Sequence, residues 1–104
     1  MSQIILVQAK LKNKRNWLDW CKTLKKRKKE VLQTLKDESV TTEACFLAPD
    51  KKSVYYFMRA KNLARAKIIA QKNIHKIDKE HKLHRKKSLG NMIILEELFH
   101  FEMP

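Results

Sequence analysis

Chain breakers are scarce in this sequence of 104 residues, which contains one glycine and two prolines. This scarcity argues against a disordered polypeptide. No apolar run approaches the roughly 20 residues of a membrane span. The first residues carry neither a basic segment nor a cleavage site. We therefore expect no membrane association and no signal peptide.

Cysteine is also scarce, and the two that occur, Cys21 and Cys45, lie far apart without a CxxC spacing. Two isolated cysteines do not make the disulfide framework of a small secreted domain. We expect both to be reduced, buried thiols in a cytoplasmic protein. A disulfide or a reactive thiol is the alternative.

Acidic residues are also few: 11 Asp and Glu residues compare with 24 Lys and Arg residues, which gives a net charge of +13. Basic residues crowd the segment Lys22–Lys29, whereas no lysine or arginine follows Lys87. A solvated, lysine-rich surface explains this distribution. The alternatives are a polyanion-binding face on Lys22–Lys29, or a basic helix that meets an acidic strand across an oligomer.

Six segments of extended or helical character follow one another along the chain. They are Gln3–Leu11 (extended), Lys14–Asp37 (helical), Val40–Ala48 and Val54–Arg59 (extended), Asn62–Lys87 (helical, with a break near Asn73) and Met92–Met103 (extended). The β-α-β-β-α-β order predicts an α+β, ferredoxin-like domain over residues 1–104, an antiparallel sheet with helices on one face. This plan hosts many unrelated activities, so it predicts a fold and not a reaction.

Two of the predicted strands are apolar at successive positions, from Ile4 to Val7 and from Met92 to Leu95. A strand buried on one face only alternates apolar and polar residues, so both faces of these strands should be covered. The helices cover one face. We expect a second copy of the chain to cover the other, which predicts a homodimer. The segment Glu96–Phe101 could instead add to a sheet edge of another subunit.

Asp78 and His81 are three residues apart in a helical segment and therefore share a helix face. A carboxylate beside an imidazole orients it and raises its pKa, which makes the two a candidate catalytic acid–base pair. The structural alternative is an Asp78 that caps a helix and a His81 that pairs with it. A metal site with His75 or His84, or haem on His75 or His81, has little support in the spacing. We expect no metal and no cofactor.

Three further residues complete a predicted ligand-binding site. Lys28 fills a gap in the apolar stripe of the first helix, Glu43 lies on a strand among residues that should be buried, and Tyr56 offers a hydroxyl. We expect them to converge with Asp78 and His81 in a cavity between sheet and helices. Such a lining suits a small carboxylate or an enolisable carbonyl compound. The alternatives are a Lys28 whose stem packs while its head reaches water, and a Tyr56 that only fills the core.

Four short segments together resemble a small family of uncharacterised bacterial proteins of the dimeric α/β-barrel type. They are the helix from Trp20-Cys21 to Leu35, Glu43-Ala44-Cys45-Phe46, Val54-Tyr55-Tyr56-Phe57 and Ile77-Asp78-Lys79-Glu80-His81. The superfamily includes the antibiotic-biosynthesis monooxygenases. The resemblance implies a ferredoxin-like protomer that pairs sheet to sheet with a second copy. It implies a small-ligand-binding or monooxygenase-like role but no particular reaction, so whether the chain is an enzyme stays open.

The rival prediction is a nucleic-acid-binding protein that uses its lysine-rich helix face. RNA-recognition domains have the same order of elements, and a net charge of +13 is a strong electrostatic footprint. Those domains stack bases on exposed aromatic residues of their first and third strands. Here Gln3–Leu11 carries no aromatic residue, which favours non-specific contact with phosphates over base recognition.

Overall fold

A computed structural model describes residues 2–104. Its elements are β1 (Gln3–Leu11), α1 (Lys14–Lys26), α2 (Lys28–Glu38), β2 (Val40–Leu47), β3 (Ser53–Ala60), α3 (Leu63–Gln71), α4 (Lys76–Ser88) and β4 (Leu89–Ile94). The strands form one antiparallel sheet in the order β2-β3-β1-β4. This arrangement confirms the predicted ferredoxin-like fold.

All four helices pack on the same face of the sheet. The strand residues in the two core clusters share that face in the register: Ala9 lies opposite Val54, and Val40 lies opposite Ala60. The first cluster joins them to Trp17, Trp20, Ile77 and Leu89, and the second to Leu35 and Ala66. We call the other side of the sheet the open face. None of the helices in residues 2–104 is long and apolar enough to cross a bilayer.

The first predicted helix is two helices, because the chain leaves helical geometry at Arg27 (φ −103°, ψ 36°). The Arg27 guanidinium pairs there with Glu30 and Glu80, which ties the break to α4. Lys28 is the exposed first residue of α2. The gap in the apolar stripe at Lys28 therefore marks the junction of two helices rather than an inward-pointing cation.

The second helical segment does break where the sequence indicates, at Asn73, whose φ of 49° is left-handed. Gly90, the one glycine of the chain, does not end this segment. Helix α4 ends at Ser88, and Gly90 lies inside β4 without a positive φ. Ser88 is fully buried, and its carbonyl accepts from the N–H groups of Lys12 and Asn13. These bonds hold the end of α4 beside the end of β1, so the chain enters the sheet before it reaches Gly90.

The last strand is shorter than the predicted Met92–Met103. It ends at Ile94, after which the Leu95 N–H makes one more bond to the Leu6 carbonyl at 2.9 Å. Residues 95–104 then have no regular structure. Glu102 returns to the sheet, where it pairs with Arg59 at 3.9 Å. The apolar character of this tail therefore does not come from a strand of its own sheet.

Candidate functional site

A half-open cavity of about 110 Å³ lies between the helices and the sheet. Its lining includes seven titratable side chains: Glu38, Glu43, Tyr56, Asp78, His81, Lys82 and Arg85. Four of the five residues predicted as site residues are among them. The fifth, Lys28, does not line the cavity, because it sits exposed at the start of α2.

A chain of hydrogen bonds runs through the site from α1 to β2. The Trp20 Nε1–H donates to His81 Nδ1 at 2.8 Å, His81 Nε2 bonds the Tyr56 hydroxyl at 3.1 Å, and that hydroxyl donates to Glu43 Oε1 at 2.6 Å. An indole nitrogen can only donate, so Nδ1 must be the acceptor and the proton of neutral His81 must be on Nε2. Every bond in the chain therefore points toward the Glu43 carboxylate.

The elements hold these groups in place by register and stacking. Glu43 and Tyr56 lie on the helix-facing side of neighbouring strands, since Glu43 is opposite Met58 and Cys45 is opposite Tyr56. On the helix side, the Trp20 ring stacks on His84 with centroids 4.1 Å apart and planes 16° apart. Trp20 is thus locked with its N–H aimed at His81. Its apolar neighbours made it look like a core residue, and the sequence offered no sign of this donor role.

His81 is held neutral. Its burial lowers its pKa to about 4, and the positive charge of Arg85 adds to this, while the negative charge of Asp78 opposes it. Protonation at Nδ1 would also set two N–H groups against each other at the Trp20 contact. The expected rise of the His81 pKa through Asp78 is therefore wrong, because desolvation outweighs the carboxylate.

Asp78 is engaged elsewhere. Its carboxylate accepts from the Thr34 hydroxyl and from the His75 N–H at the start of α4. Among residues 2–104 it makes no hydrogen bond to His81. Asp78 therefore caps the helix, which agrees with the structural alternative, and its charge contributes to the cavity. A catalytic role for the Asp78 and His81 pair stays a prediction.

Glu38 is a cavity residue that sequence reasoning missed. It is the last residue of α2, only 8% exposed, and its carboxyl has no hydrogen-bond partner within residues 2–104. Burial raises its pKa to about 7, helped by the charges of Glu43 and Asp78. The negative end of the α2 dipole also disfavours its ionised form. The available signal was its spacing, three residues after the buried Leu35.

Glu43 and Arg85 complete the electrostatics. Burial raises the pKa of Glu43, although the Tyr56 hydroxyl and the Arg85 charge favour its ionised form. Burial also raises the pKa of Tyr56 well above its usual value, so the phenol keeps its proton. Arg85 lies four residues after His81 and hence on the same face of α4. It supplies the cation that we expected from Lys28.

His81 and Glu38 should give the fold opposite responses to acid. The pKa of His81 is lowered on folding, so its stabilisation is present above pH 6.5 and is lost as pH falls from 6.5 through 4, by about 3 kcal/mol. We expect the His81→Gln variant to lack this loss. Urea unfolding of the parent and the variant between pH 8 and pH 4 measures this loss. If the free energies of unfolding of the two proteins changed with pH in the same way, the pKa of His81 would not be lowered by folding.

Glu38 should destabilise the fold when it is ionised, because its pKa is raised on folding. The Glu38→Gln variant is expected to be more stable than the parent at pH 8, by about 1–2 kcal/mol after allowing for solvent in the cavity. The difference should shrink to nearly zero at about pH 3.5, below the ordinary value of 4.5, where Glu38 is protonated in both the folded and the unfolded protein. Urea unfolding at the two pH values is the measurement. A variant less stable than the parent at pH 8 would contradict the buried, unpartnered carboxyl.

The histidines of the site are already engaged. Both ring nitrogens of His81 are hydrogen-bonded, and His75 Nε2 contacts Asp37 Oδ2 at 2.6 Å. Within residues 2–104, no group of three His, Cys, Asp or Glu side chains is arranged to hold a metal ion. Both histidines are therefore already hydrogen-bonded to other side chains of the protein.

With this geometry established, comparison with known proteins identifies the family. A family model matches residues 2–98. The chain belongs to DUF6176, a family of unknown function. No curated protein matches the sequence.

Among solved structures, the fold of this DUF6176 protein is similar to the crystal structure of L-rhamnose mutarotase FA22100 from Formosa agariphila. The TM-score is 0.64 at 20% sequence identity, and the match covers 96% of this chain and 99% of the mutarotase. At this identity the similarity shows the shared fold over nearly the whole length of both chains.

Proposed function

We propose that the DUF6176 protein binds a small, neutral hydroxylated carbonyl compound, such as a monosaccharide, in the cavity and transfers protons on it. The observation that carries this proposal is the pair of carboxyls, Glu38 and Glu43, that line the same cavity in unlike surroundings. Glu43 is fixed by the Tyr56 hydroxyl, whereas Glu38 meets no partner. Two carboxyls in unlike environments are the usual arrangement for one acid and one base.

The proposed roles follow from the protonation states. The pKa of about 7 leaves Glu38 partly protonated at neutral pH, so it can donate a proton. Glu43 accepts a hydrogen bond from the Tyr56 hydroxyl, which together with the Arg85 charge favours its ionised form against the effect of burial, and it acts as the base. Interconversion of sugar anomers needs both steps: a base takes the proton of the anomeric hydroxyl while an acid protonates the ring oxygen. The fold shared with a mutarotase supports this class of reaction.

The charges of the lining favour a neutral ligand over the small carboxylate that the sequence suggested. Three carboxyl groups face the cavity against two cationic residues, Arg85 and Lys82. Lys28, the expected partner of an anionic group, is outside. An enolisable carbonyl compound still fits this lining. A monooxygenase-like activity, which the sequence resemblance implied, remains an alternative prediction.

The test is anomer exchange measured by NMR magnetisation transfer, with L-rhamnose, L-fucose, D-galactose, D-glucose and D-ribose as probes. We expect the protein to accelerate exchange for at least one sugar, and Glu38→Gln and Glu43→Gln to remove the acceleration. Asp50→Asn is the matched control, since it makes the same carboxyl-to-amide change in the exposed β2–β3 turn. No acceleration and no ligand-induced shift with any of these sugars would contradict the proposal.

We further propose that a second copy of the chain covers the open face, which makes the protein a homodimer. In the register, Phe57 and Leu6 lie opposite each other on that face, beside the exposed Phe46 and Ile93. The tail adds further exposed apolar side chains: Leu98, Phe99, Phe101 and Met103. Exposed apolar surface of this extent, on the open face and on the tail together, favours self-association. A homodimer explains why β1 and β3 are apolar on both sides.

Light scattering at low and high salt tests the dimer. A dimer at both salt concentrations is the expected result, because the association is apolar. A monomer would contradict it. A species that carries nucleic acid until high salt removes it would instead support the rival prediction of a polyanion-binding face on Lys22–Lys29.

A further inference from the structure

Arg85 is a cation of the cavity that the protein itself leaves without a partner. Its half-buried side chain lines the cavity from α4, one helical turn after His81. Within residues 2–104 the arginine ion pairs belong to Arg27 and Arg59, and the Arg85 guanidinium makes neither an ion pair nor a hydrogen bond. A guanidinium keeps its charge and has five N–H donors, so Arg85 can give hydrogen bonds to a bound molecule.

The acidic groups of the cavity do not occupy Arg85. Glu43 and Asp78 accept hydrogen bonds from other groups. The Arg85 charge acts on Glu38, but no hydrogen bond joins the two side chains. The Cys45 thiol was predicted to be buried, and it is instead exposed on the edge strand β2, outside the lining. An acid and a cation that line one cavity without pairing leave room for a ligand between them.

Arg85 lies near the groups of the site that hold or move a proton. Its positive charge favours the ionised forms of Glu38 and Glu43, and it helps to lower the pKa of His81. In the proposed function, Glu43 takes the proton of the anomeric hydroxyl while Glu38 protonates the ring oxygen. Negative charge then develops on the anomeric oxygen, and a guanidinium in a cavity of low dielectric constant stabilises this charge.

We propose that Arg85 binds the anomeric oxygen together with the oxygen on the adjacent carbon, so that the site selects hydroxycarbonyl compounds with a 2-hydroxyl group. The planar fork of a guanidinium presents two parallel N–H groups, which match two oxygens on neighbouring atoms. The first contact stabilises the developing oxyanion, and the second selects the substrate. The proposal rests on the proposed function, because it takes the anomeric carbon as the reacting centre.

The test compares sugars with their 2-deoxy analogues by NMR magnetisation transfer. The probes are D-glucose, D-galactose and D-ribose and the 2-deoxy form of each, and every rate is divided by the uncatalysed exchange rate of the same sugar. We expect the parent to prefer the hydroxylated sugar by about 10- to 100-fold in kcat/KM. Arg85→Gln should lower this preference to within about threefold. Arg85→Lys keeps the charge without the fork, so it should retain part of the rate but not the preference.

The preference within one variant separates the contact from the electrostatic effect of Arg85. A change in the protonation of Glu38 or Glu43 alters the rates of both sugars equally and leaves their ratio unchanged. Lys86→Gln is the matched control, because it removes the same charge from the neighbouring, exposed position of α4. It should keep the preference of the parent. If urea unfolding shows that Arg85→Gln does not fold, the parent and Arg85→Lys still decide the question.

Two results would overturn the proposal and leave the proposed function standing. One is a parent protein that accelerates the exchange of a sugar and of its 2-deoxy analogue equally. The other is a folded Arg85→Gln or Arg85→Lys protein with the full preference of the parent, which would assign the 2-hydroxyl group to another residue. Acceleration of none of the six probes would contradict the proposed function, and the role of Arg85 with it.

Discussion

The Glu43→Gln variant is expected to fold as the parent does and to transfer protons about two to four orders of magnitude more slowly on its sugar substrate. Glutamine keeps the shape of the side chain, and its amide oxygen can still accept from the Tyr56 hydroxyl. It cannot take a proton from the ligand. The variant therefore separates the base function of Glu43 from its structural place in the hydrogen-bond chain.

The measurement is the anomer-exchange rate of the responding sugar, with unfolding in urea as the control for folding. Tyr56→Phe makes a useful partner, because it leaves Glu43 ionisable but removes the hydroxyl that fixes it. We expect a smaller loss for this variant. A Glu43→Gln protein with the exchange rate of the parent would show that another group is the base.

Replacement of Trp17 with alanine is expected to destabilise the fold by about 3–5 kcal/mol. Trp17 is only 1% exposed and packs in the first core cluster, 6.5 Å from Tyr56 and 5.9 Å from His81 between ring centroids. Its removal leaves a cavity below the hydrogen-bond chain. Trp17→Phe should lower the free energy of unfolding much less, since the Trp17 N–H makes no hydrogen bond within residues 2–104 that this change would remove.

Urea unfolding followed by the fluorescence of the remaining Trp20 measures these differences. Leu83→Ala is the matched control, because Leu83 is 67% exposed and its truncation should change the free energy of unfolding by less than about 0.5 kcal/mol. A loss for Trp17→Ala as small as that of Leu83→Ala would contradict the assignment of Trp17 to the core.

The order of elements was predictable because apolar periodicity marks each segment independently of the others. The break at Arg27 was not, since Arg27 pairs there with Glu80, a contact between residues far apart in the chain that periodicity does not reveal. The end of the last strand at Ile94 was also missed. Apolar residues continue beyond it, and only the pairing with β1 decides where the strand stops.

The candidate site shows the same limit. Glu43, Tyr56, Asp78 and His81 do line one cavity, because strand alternation and helix spacing place them on inward faces. Their partners depend on contacts between elements, which spacing does not contain. His81 therefore bonds Trp20 and Tyr56 rather than Asp78.

The protonation state of His81 is the most direct test of the account, and it needs no ligand. Long-range ¹H–¹⁵N NMR of the imidazole nitrogens between pH 7.5 and pH 4 distinguishes the tautomers and follows the titration. We predict a neutral ring with its proton on Nε2 and a pKa of about 4. A His81 that titrates near 6.5, or that carries its proton on Nδ1 when neutral, would contradict the directed hydrogen-bond chain from Trp20 to Glu43.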